Sequence, residues 1–471
     1  VDEGGESVEL SGFCRWWQRP GVRRALTALM AAAALAVALS ATQRALYGSS
    51  EFMGFHQIVQ VGVVRNRDHY RAIPHIRAYP PFFAIFWTPF GAIPIGLMSE
   101  REKLPAGATL GQQLQLGASA AVAALLMAAF TYWAVRCIAD ACRPAGAERP
   151  SSCLPALIYL LAGGLMLNSV VRIETDMLVV MLVAGAMYLT FVRERHWDGG
   201  ALLGVAAALK LTPALFGVYL LCRRNWRGAA GMLAAGFVCS VVLPVMVWGF
   251  DGSYQRTRSW FEEVLSPVVT EGPHFIGQAY RSANQSLHAA AVRYLTHYDV
   301  AGGRRERFVN VADLPPEAVS TLVNVVRIAV LALLVVAWLL PPRVADRELE
   351  LVLFALAPPA MLLLSDVSVS GHFAVAAVPL GVLAAHCLRH AGEPLSRRLS
   401  WWTLAGALLM SLMALRQLKE LSVATAGALL IYGVGLWLGR LLSCRHSAAS
   451  CDRALRQCAR PRGAPATPRG E

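Results

Sequence analysis

The chain has 471 residues, 56% of them hydrophobic and 15% charged, with a formal net charge of +13. Apolar runs of about twenty residues recur along most of its length, which excludes a soluble globular protein and predicts a polytopic helical membrane protein, all-α throughout. The positive charge does not mark a nucleic-acid binder, because the basic residues follow the predicted membrane topology and form no single patch.

In chain order, Arg15, Arg19, Arg23 and Arg24 accompany the first apolar run at 24–43, so residues 1–23 are expected to be a cytoplasmic N-terminal segment. That run is long enough to span and has no convincing cleavage site, so it is read as an anchor and not as a signal peptide. A polar outer loop, 44–112, follows. It holds Glu51, then Asp68 within Arg65-Asn66-Arg67-Asp68-His69-Tyr70, then Arg77 just ahead of the rigid corner Tyr79-Pro80-Pro81-Phe82. Phe82 to Met98 is apolar but broken by Pro89 and Pro94, too interrupted for a span, and is expected to rest in the outer interface.

Spans are predicted at 113–135, 153–170 and 175–192, the last two joined by Arg172-Ile173-Glu174-Thr175-Asp176. Residues 200–222 do not fit a plain span. They are interrupted at Lys210-Leu211-Thr212-Pro213 and flanked on both sides by basic loops, Arg193-Glu194-Arg195 and Arg223-Arg224-Asn225-Trp226-Arg227. Positive charge at both ends favours a broken hairpin with Lys210 at its outer tip, since Pro213 cannot donate the helical hydrogen bond. A kinked straight span with Lys210 snorkelling is the alternative.

A span at 228–250 leads into a second outer loop, 251–318. Its aromatics (Tyr254, Trp260, Phe261, Phe275) precede Asn284-Gln285-Ser286, a mixture that could stack on and hydrogen-bond a sugar or form an interfacial belt. Short interfacial helices are expected within Tyr254–Leu265 and Asn284–Leu295. Spans at 319–340, 349–365, 372–388, 400–415 and 421–440 complete a membrane domain at 24–441 of about twelve passes. The tail, 442–471, is basic, cytoplasmic and expected to be disordered near anionic lipid headgroups. All ten cysteines fall in spans or on the inner face, so outer disulfides are not expected.

This topology puts the two long loops, the 172–176 turn, the Lys210 tip and the turn from Ser365 to His372 on the outer face. Each charge in or beside a bilayer costs roughly 2.5 to 3.5 kcal/mol, so Arg172, Glu174, Asp176 and Lys210 need partners or a water-filled cavity.

Several of these elements, in order and spacing, resemble glycosyltransferase family 87 of the GT-C membrane glycosyltransferases. They are Glu51-Phe52, Tyr79-Pro80-Pro81-Phe82 with Pro89 and Pro94, Ala208-Leu209-Lys210-Leu211-Thr212-Pro213, Asn284-Gln285-Ser286-Leu287, and Ser365 to His372. The resemblance covers about residues 25–440. It implies a GT-C-like bundle and an enzyme that moves a sugar, with mannose as the family-based expectation, from a polyprenyl-phosphate carrier to a lipid or glycan hydroxyl on the outer face. The chain departs from the pattern in carrying Glu51 for the usual Asp, Glu174 and Asp176 for Gln and Asn, and Val369, Gly371 and a single His372 where a Trp and paired His are usual.

Displacing a phosphate from a sugar carbon needs a base on the attacking hydroxyl and cations on the leaving phosphate. Glu51 is the first choice for the base, its extra methylene moving the carboxylate about 1.5 Å relative to Asp. Asp68 is the rival; either acid could instead be a solvated or ion-paired loop residue. Lys210 is chosen for the carrier phosphate, with Arg77 and Arg172 in support, and an ion pair of Lys210 with Glu174 or Asp176 as the plain alternative. Tyr79, Glu174, Asp176, Asn284, Gln285 and His372 complete the expected substrate-binding set. The outer loops hold no Asp-x-Asp-like pair or His cluster, so no metal and no other cofactor is expected for the protein. A secondary transporter and a catalytically inactive lipid-binding protein remain the other classes.

Overall fold

The computed structural model describes residues 20–47, 51–72, 79–91, 109–143, 153–266, 283–296, 310–340, 346–415, 418–419 and 421–458. Regular structure among the described residues is entirely helical. The first group is α1 (Pro20–Tyr47), α2 (Glu51–Val59), α3 (His69–Ala72) and α4 (Pro81–Gly91). Proline opens α1 and α4, where its missing N–H is no loss. Next come α5 (Leu110–Ala141), α6 (Cys153–Arg172), α7 (Asp176–Phe191), α8 (His196–Leu209), α9 (Leu215–Cys222), α10 (Trp226–Phe237) and α11 (Leu243–Trp260). The last group is α12 (Leu287–Leu295), α13 (Pro316–Leu339), α14 (Arg347–Ala355), α15 (Ala357–Leu364), α16 (Ala377–Arg389), α17 (Pro394–Ser411) and α18 (Val423–Cys458).

Six stretches among the described residues are long and apolar enough to cross a membrane: Leu110–Ala141, Cys153–Arg172, Trp226–Leu265, Pro316–Leu339, Ser370–Arg389 and Val423–Arg445. Each overlaps a span predicted from the sequence. The stretch Ser370–Arg389 is central, with 83% of its apolar window buried. Elsewhere large apolar side chains such as Leu160, Leu233, Met246, Ile328 and Trp401 stand exposed, a surface suited to hydrocarbon and not to water. Of the remaining predicted spans, 24–43 lies within the unbroken α1, 400–415 falls largely in α17, and 175–192, 200–222 and 349–365 are carried by shorter or broken pieces. The one at 349–365 is split into α14 and α15 at Leu356, ahead of Pro358 and Pro359.

The described part of Phe82–Met98 packs one face into the protein. Phe83, Ala84 and Trp87 of α4 are fully buried, and Phe83 and Trp87 meet the edge of Phe55 at centroid distances of 4.8 and 5.2 Å. Aromatic edge-to-face packing within the protein absorbs this face of α4. The chain turns at Gly249, within α11 at the end of the predicted 228–250 span, where a φ of +71° is open to glycine at no steric cost.

The interrupted segment reverses direction. Gly200 and Gly204 of α8 lie against Gly228 and Met232 of α10, while the returning α9 brings Leu220 to Gly228 and Gly217 to Met232. Residue numbers rise together along α8 and α10 and oppositely along α9 and α10, so α8 and α9 form a hairpin with Lys210 at its tip. Glycine makes the close approach possible: a Cβ at Gly204 would stand 2.3 Å from the Met232 carbonyl oxygen and 2.9 Å from the Gly236 nitrogen. Backbone cannot yield as a side chain does, so Gly204→Val is expected to destabilise the protein by about 3 kcal/mol or more. Gly163→Ala, where nothing lies within 4 Å, serves as the neutral control, and thermal unfolding in detergent reads both.

Candidate functional site

Only Ile173, Glu174 and Thr175 separate the end of α6 from the start of α7. The chain makes this corner by placing Ile173 at φ 55°, the left-handed region, with its side chain 1% exposed. A β-branched residue there carries strain on the order of 1–3 kcal/mol, held by surrounding packing. The backbone N–H of Glu174 donates to the Ser169 carbonyl at 3.0 Å, which tightens the corner further. As a result Arg172, Glu174 and Asp176 gather at one rim of the bundle. Arg172 Nε lies 2.9 Å from Glu174 Oε1, and the Glu174 carboxylate, itself 1% exposed, fills the space beside Gly371.

Opposite this corner, α8 ends at Leu209 and Lys210 takes an extended conformation before the 3-10 turn Thr212–Ala214. Lys210 Nζ meets Asp176 Oδ1 at 2.5 Å. Asp176 is the first residue of α7, a position where the helix dipole favours a carboxylate. Both side chains line a small cleft, together with Thr212, Ser365, Ser368 and His372. Thus the expected Lys210, Asp176 and His372 come together in one cavity, with Arg172 and Glu174 at the adjoining corner. The ion-pair alternative for Lys210 is also present, with Asp176 as the partner.

The turn from Ser365 to His372 is held from outside the cleft. Asn284 Oδ1 accepts from the Ser286 and Ser368 backbone N–H groups, each at 3.0 Å, while its Nδ2 donates to the Asp366 carbonyl at 3.0 Å. The Gln285 N–H donates to the Ser368 carbonyl at 2.7 Å and its Nε2 donates to the Lys419 carbonyl at 2.7 Å. Ser286 then caps α12 by accepting from Ala289 N. Asn284 and Gln285, expected to touch substrate, are therefore placed as buried braces of the turn that lines the cleft. Asp366 is paired with Arg327 at 2.6 Å and lies 3.8 Å from His288 Nδ1. Burial lowers the His288 pKa, Arg327 lowers it further, and Asp366 opposes both.

The first outer loop forms a separate cluster. Asp68 Oδ2 accepts from the Ser259 hydroxyl at 2.6 Å and Oδ1 from the Tyr70 N–H at 3.0 Å, so this acid anchors α3 to α11. Beside it, Arg256 donates to Asn66 Oδ1 at 2.8 Å and stacks over Trp248 at 4.6 Å. Burial pushes His69 down to about 4, with Asp68 opposing and Arg256 adding, so its ring is neutral. The Tyr79 ring stacks on Phe83 at 4.1 Å, and its carbonyl accepts from the Tyr70 hydroxyl at 2.7 Å. Arg77 and the side chain of Glu51 lie outside the described residues; Glu51 is the first residue of α2.

Sequence reasoning missed Arg327 with Asp366, and Asn168, whose Nδ2 donates to Ser370 Oγ at 2.8 Å. A lone arginine within an apolar stretch is the signal that would have found the first pair.

The sequence profile of glycosyltransferase family 87 matches residues 78–365, more than half of the chain. The chain is 34% identical over 124 residues to the polyprenol-phosphate-mannose-dependent alpha-(1-2)-phosphatidylinositol pentamannoside mannosyltransferase of Mycolicibacterium smegmatis, covering 26% of this chain and 27% of the relative. It is 27% identical over 219 residues to a Mycobacterium tuberculosis protein of the same description, covering 46% of this chain and 42% of that one. The matched regions therefore span less than half the length of these relatives. The crystal structure of ArnT from Cupriavidus metallidurans bound to undecaprenyl phosphate aligns with 94% of this chain and 82% of that one, at 17% identity and a TM-score of 0.34, too low to carry an argument.

Proposed function

Because the chain belongs to glycosyltransferase family 87, we propose that it moves a sugar from a polyprenyl-phosphate carrier to a hydroxyl of a lipid or glycan acceptor. The observation that carries this reading is the Lys210–Asp176 pair lining a cleft with serine, threonine and histidine side chains. A cation held at a helix break beside polar donors suits a phosphate that must arrive and leave. Mannose is the proposed sugar, in keeping with the descriptions of the relatives.

In the proposed step the acceptor oxygen attacks the anomeric carbon as the bond from that carbon to the phosphate oxygen breaks. The bonding pair leaves with the polyprenyl phosphate, whose charge Lys210 and Arg172 offset, and the acceptor proton passes to a carboxylate. One displacement inverts the anomeric centre. Glu51 remains the first candidate base. Asp176 is the next, being in the cleft, and Asp68 follows because both of its oxygens already accept hydrogen bonds. Ser365, Ser368 and His372 are assigned to the sugar and phosphate. The fuller topology belongs to the same reading: a GT-C arrangement of about twelve passes, both termini cytoplasmic and the cleft opening on the extracytoplasmic face. The phosphate is already a competent leaving group, and the step as written involves no cofactor.

Purified protein given radiolabelled polyprenyl-phosphate-mannose and a membrane lipid extract is expected to label a lipid product, with Glu51→Gln reducing the rate at least about 100-fold. Undiminished transfer by Glu51→Gln would move the base to Asp176. Absence of transfer by the unaltered protein, across several carrier-linked sugars, would overturn the proposed donor class.

A further inference from the structure

The end of α16 remote from the cleft carries a second cluster of chemistry-bearing side chains. His386 lies fourteen residues beyond His372, about 20 Å along a helical path. There Glu348 from the first turn of α14 meets His386 and His390. His386 Nδ1 is 2.8 Å from Glu348 Oε1, and His390 Nε2 is 3.5 Å from Glu348 Oε2. One ligand atom from each of the three residues lies within 4.8 Å of the others. The histidines stand four positions apart, which puts both rings on one helix face, with centroids 4.6 Å apart.

The surroundings resemble those of a ligand set. The far nitrogen of His390, Nδ1, is 3.0 Å from Glu393 Oε1, so a second carboxylate fixes the ring with Nε2 turned toward Glu348. Glu393 is held in turn by Arg445 of α18 at 3.0 Å. The Asp346 side chain accepts from the Glu348 N–H at 2.9 Å and fixes the start of α14. One cationic group competes: Arg389 Nη1 is 2.6 Å from Glu348 Oε1. Arg347, the other nearby cation, is directed to the Asp140 and Ala141 carbonyls. His386 is 3% exposed on its side chain, while Glu348 and His390 are 18% and 24% exposed, which leaves an entry path from the open side.

We propose that Glu348, His386 and His390 form a binding site for a divalent transition-metal ion, Zn²⁺ by preference, that ties α14 to α16. Two imidazoles and one carboxylate favour zinc over calcium or magnesium, which take oxygen ligands, and three protein ligands leave a fourth position for water. Binding requires the ligating nitrogen of each imidazole to be free of its proton. The site acts on stability at the end of the bundle away from the transfer cleft, and it does not depend on the glycosyltransferase reading.

The test uses full-length protein purified without a histidine tag, stripped with a chelator and titrated with Co²⁺ as a spectroscopic probe, then with Zn²⁺. The expected result is one equivalent bound, with ligand-field bands of a nitrogen and oxygen set and no sulfur-to-metal charge transfer, and a raised melting temperature. His390→Ala is expected to abolish binding. Glu393→Gln, which leaves the ligands in place, is expected to weaken it about 10- to 100-fold. Arg389→Gln removes the competing cation and is expected to tighten it. Thiolate bands, binding undiminished in His390→Ala, or no saturable binding by the unaltered protein would each overturn the proposal.

Discussion

Lys210→Ala is expected to abolish sugar transfer and, at the same time, to destabilise the protein. The two effects have different origins. Asp176 is 9% exposed on its side chain and has Lys210 at 2.5 Å. Removing the lysine leaves a buried carboxylate whose desolvation is no longer offset, at a cost of about 3–5 kcal/mol. Loss of activity alone would therefore be ambiguous between a missing phosphate ligand and a disturbed corner. Lys210→Met combined with Asp176→Leu separates them: an apolar pair of similar volume is often as stable as the ion pair it replaces, so the melting temperature should recover. Transfer should not, because the leaving phosphate then has only Arg172 to offset its charge. Recovery of both would reduce Lys210 to a structural residue and remove the observation on which the proposed function rests. The readouts are thermal unfolding in detergent and label transfer from the polyprenyl-phosphate sugar.

How far the sequence could foresee this arrangement depended on the range of the interaction. The Lys210 break was legible because its cause is local: proline removes one helical hydrogen bond three residues on, and flanking arginines at both ends require a reversal. The 172–176 corner was legible as a crowd of charges between two apolar runs, though its left-handed Ile173 was not, since nothing local favours that conformation in a β-branched residue. Asn284 and Gln285 were read as sugar contacts from their amides beside aromatic residues and from the family resemblance. Their part in holding the Ser365–His372 turn is a contact across 84 positions for Asn284 to Ser368, which no periodicity records. The same holds for Arg223, which pairs with Glu350 and donates to the Trp338 carbonyl at 3.1 Å. Paired polar groups far apart in the chain are set by tertiary packing, and only their unusual presence in apolar surroundings is visible beforehand.

Gly371→Ala is expected to be among the most damaging single-methyl changes in the protein, and Glu174→Ala is expected to rescue it. A Cβ at Gly371 would stand 1.3 Å from Glu174 Oε2 and 2.4 Å from Cδ, so the carboxylate must leave its place. It has little room to do so, being 1% exposed and tied to Arg172 at 2.9 Å. The corner that orients Asp176 toward Lys210 would shift with it. A loss of about 3 kcal/mol or more follows from overpacking and from breaking a buried ion pair. Glu174→Gln is not expected to help, since the amide is as large as the carboxylate, whereas Glu174→Ala empties the contested volume. A double-mutant cycle on thermal stability should then give a coupling of about 1–3 kcal/mol, the double variant being more stable than the sum of the singles. Additive effects would place the two residues out of contact and would undo the geometry described for this corner. The Glu174 carboxylate occupies the volume that a side chain at 371 would otherwise take, which is the physical reason for glycine at that position.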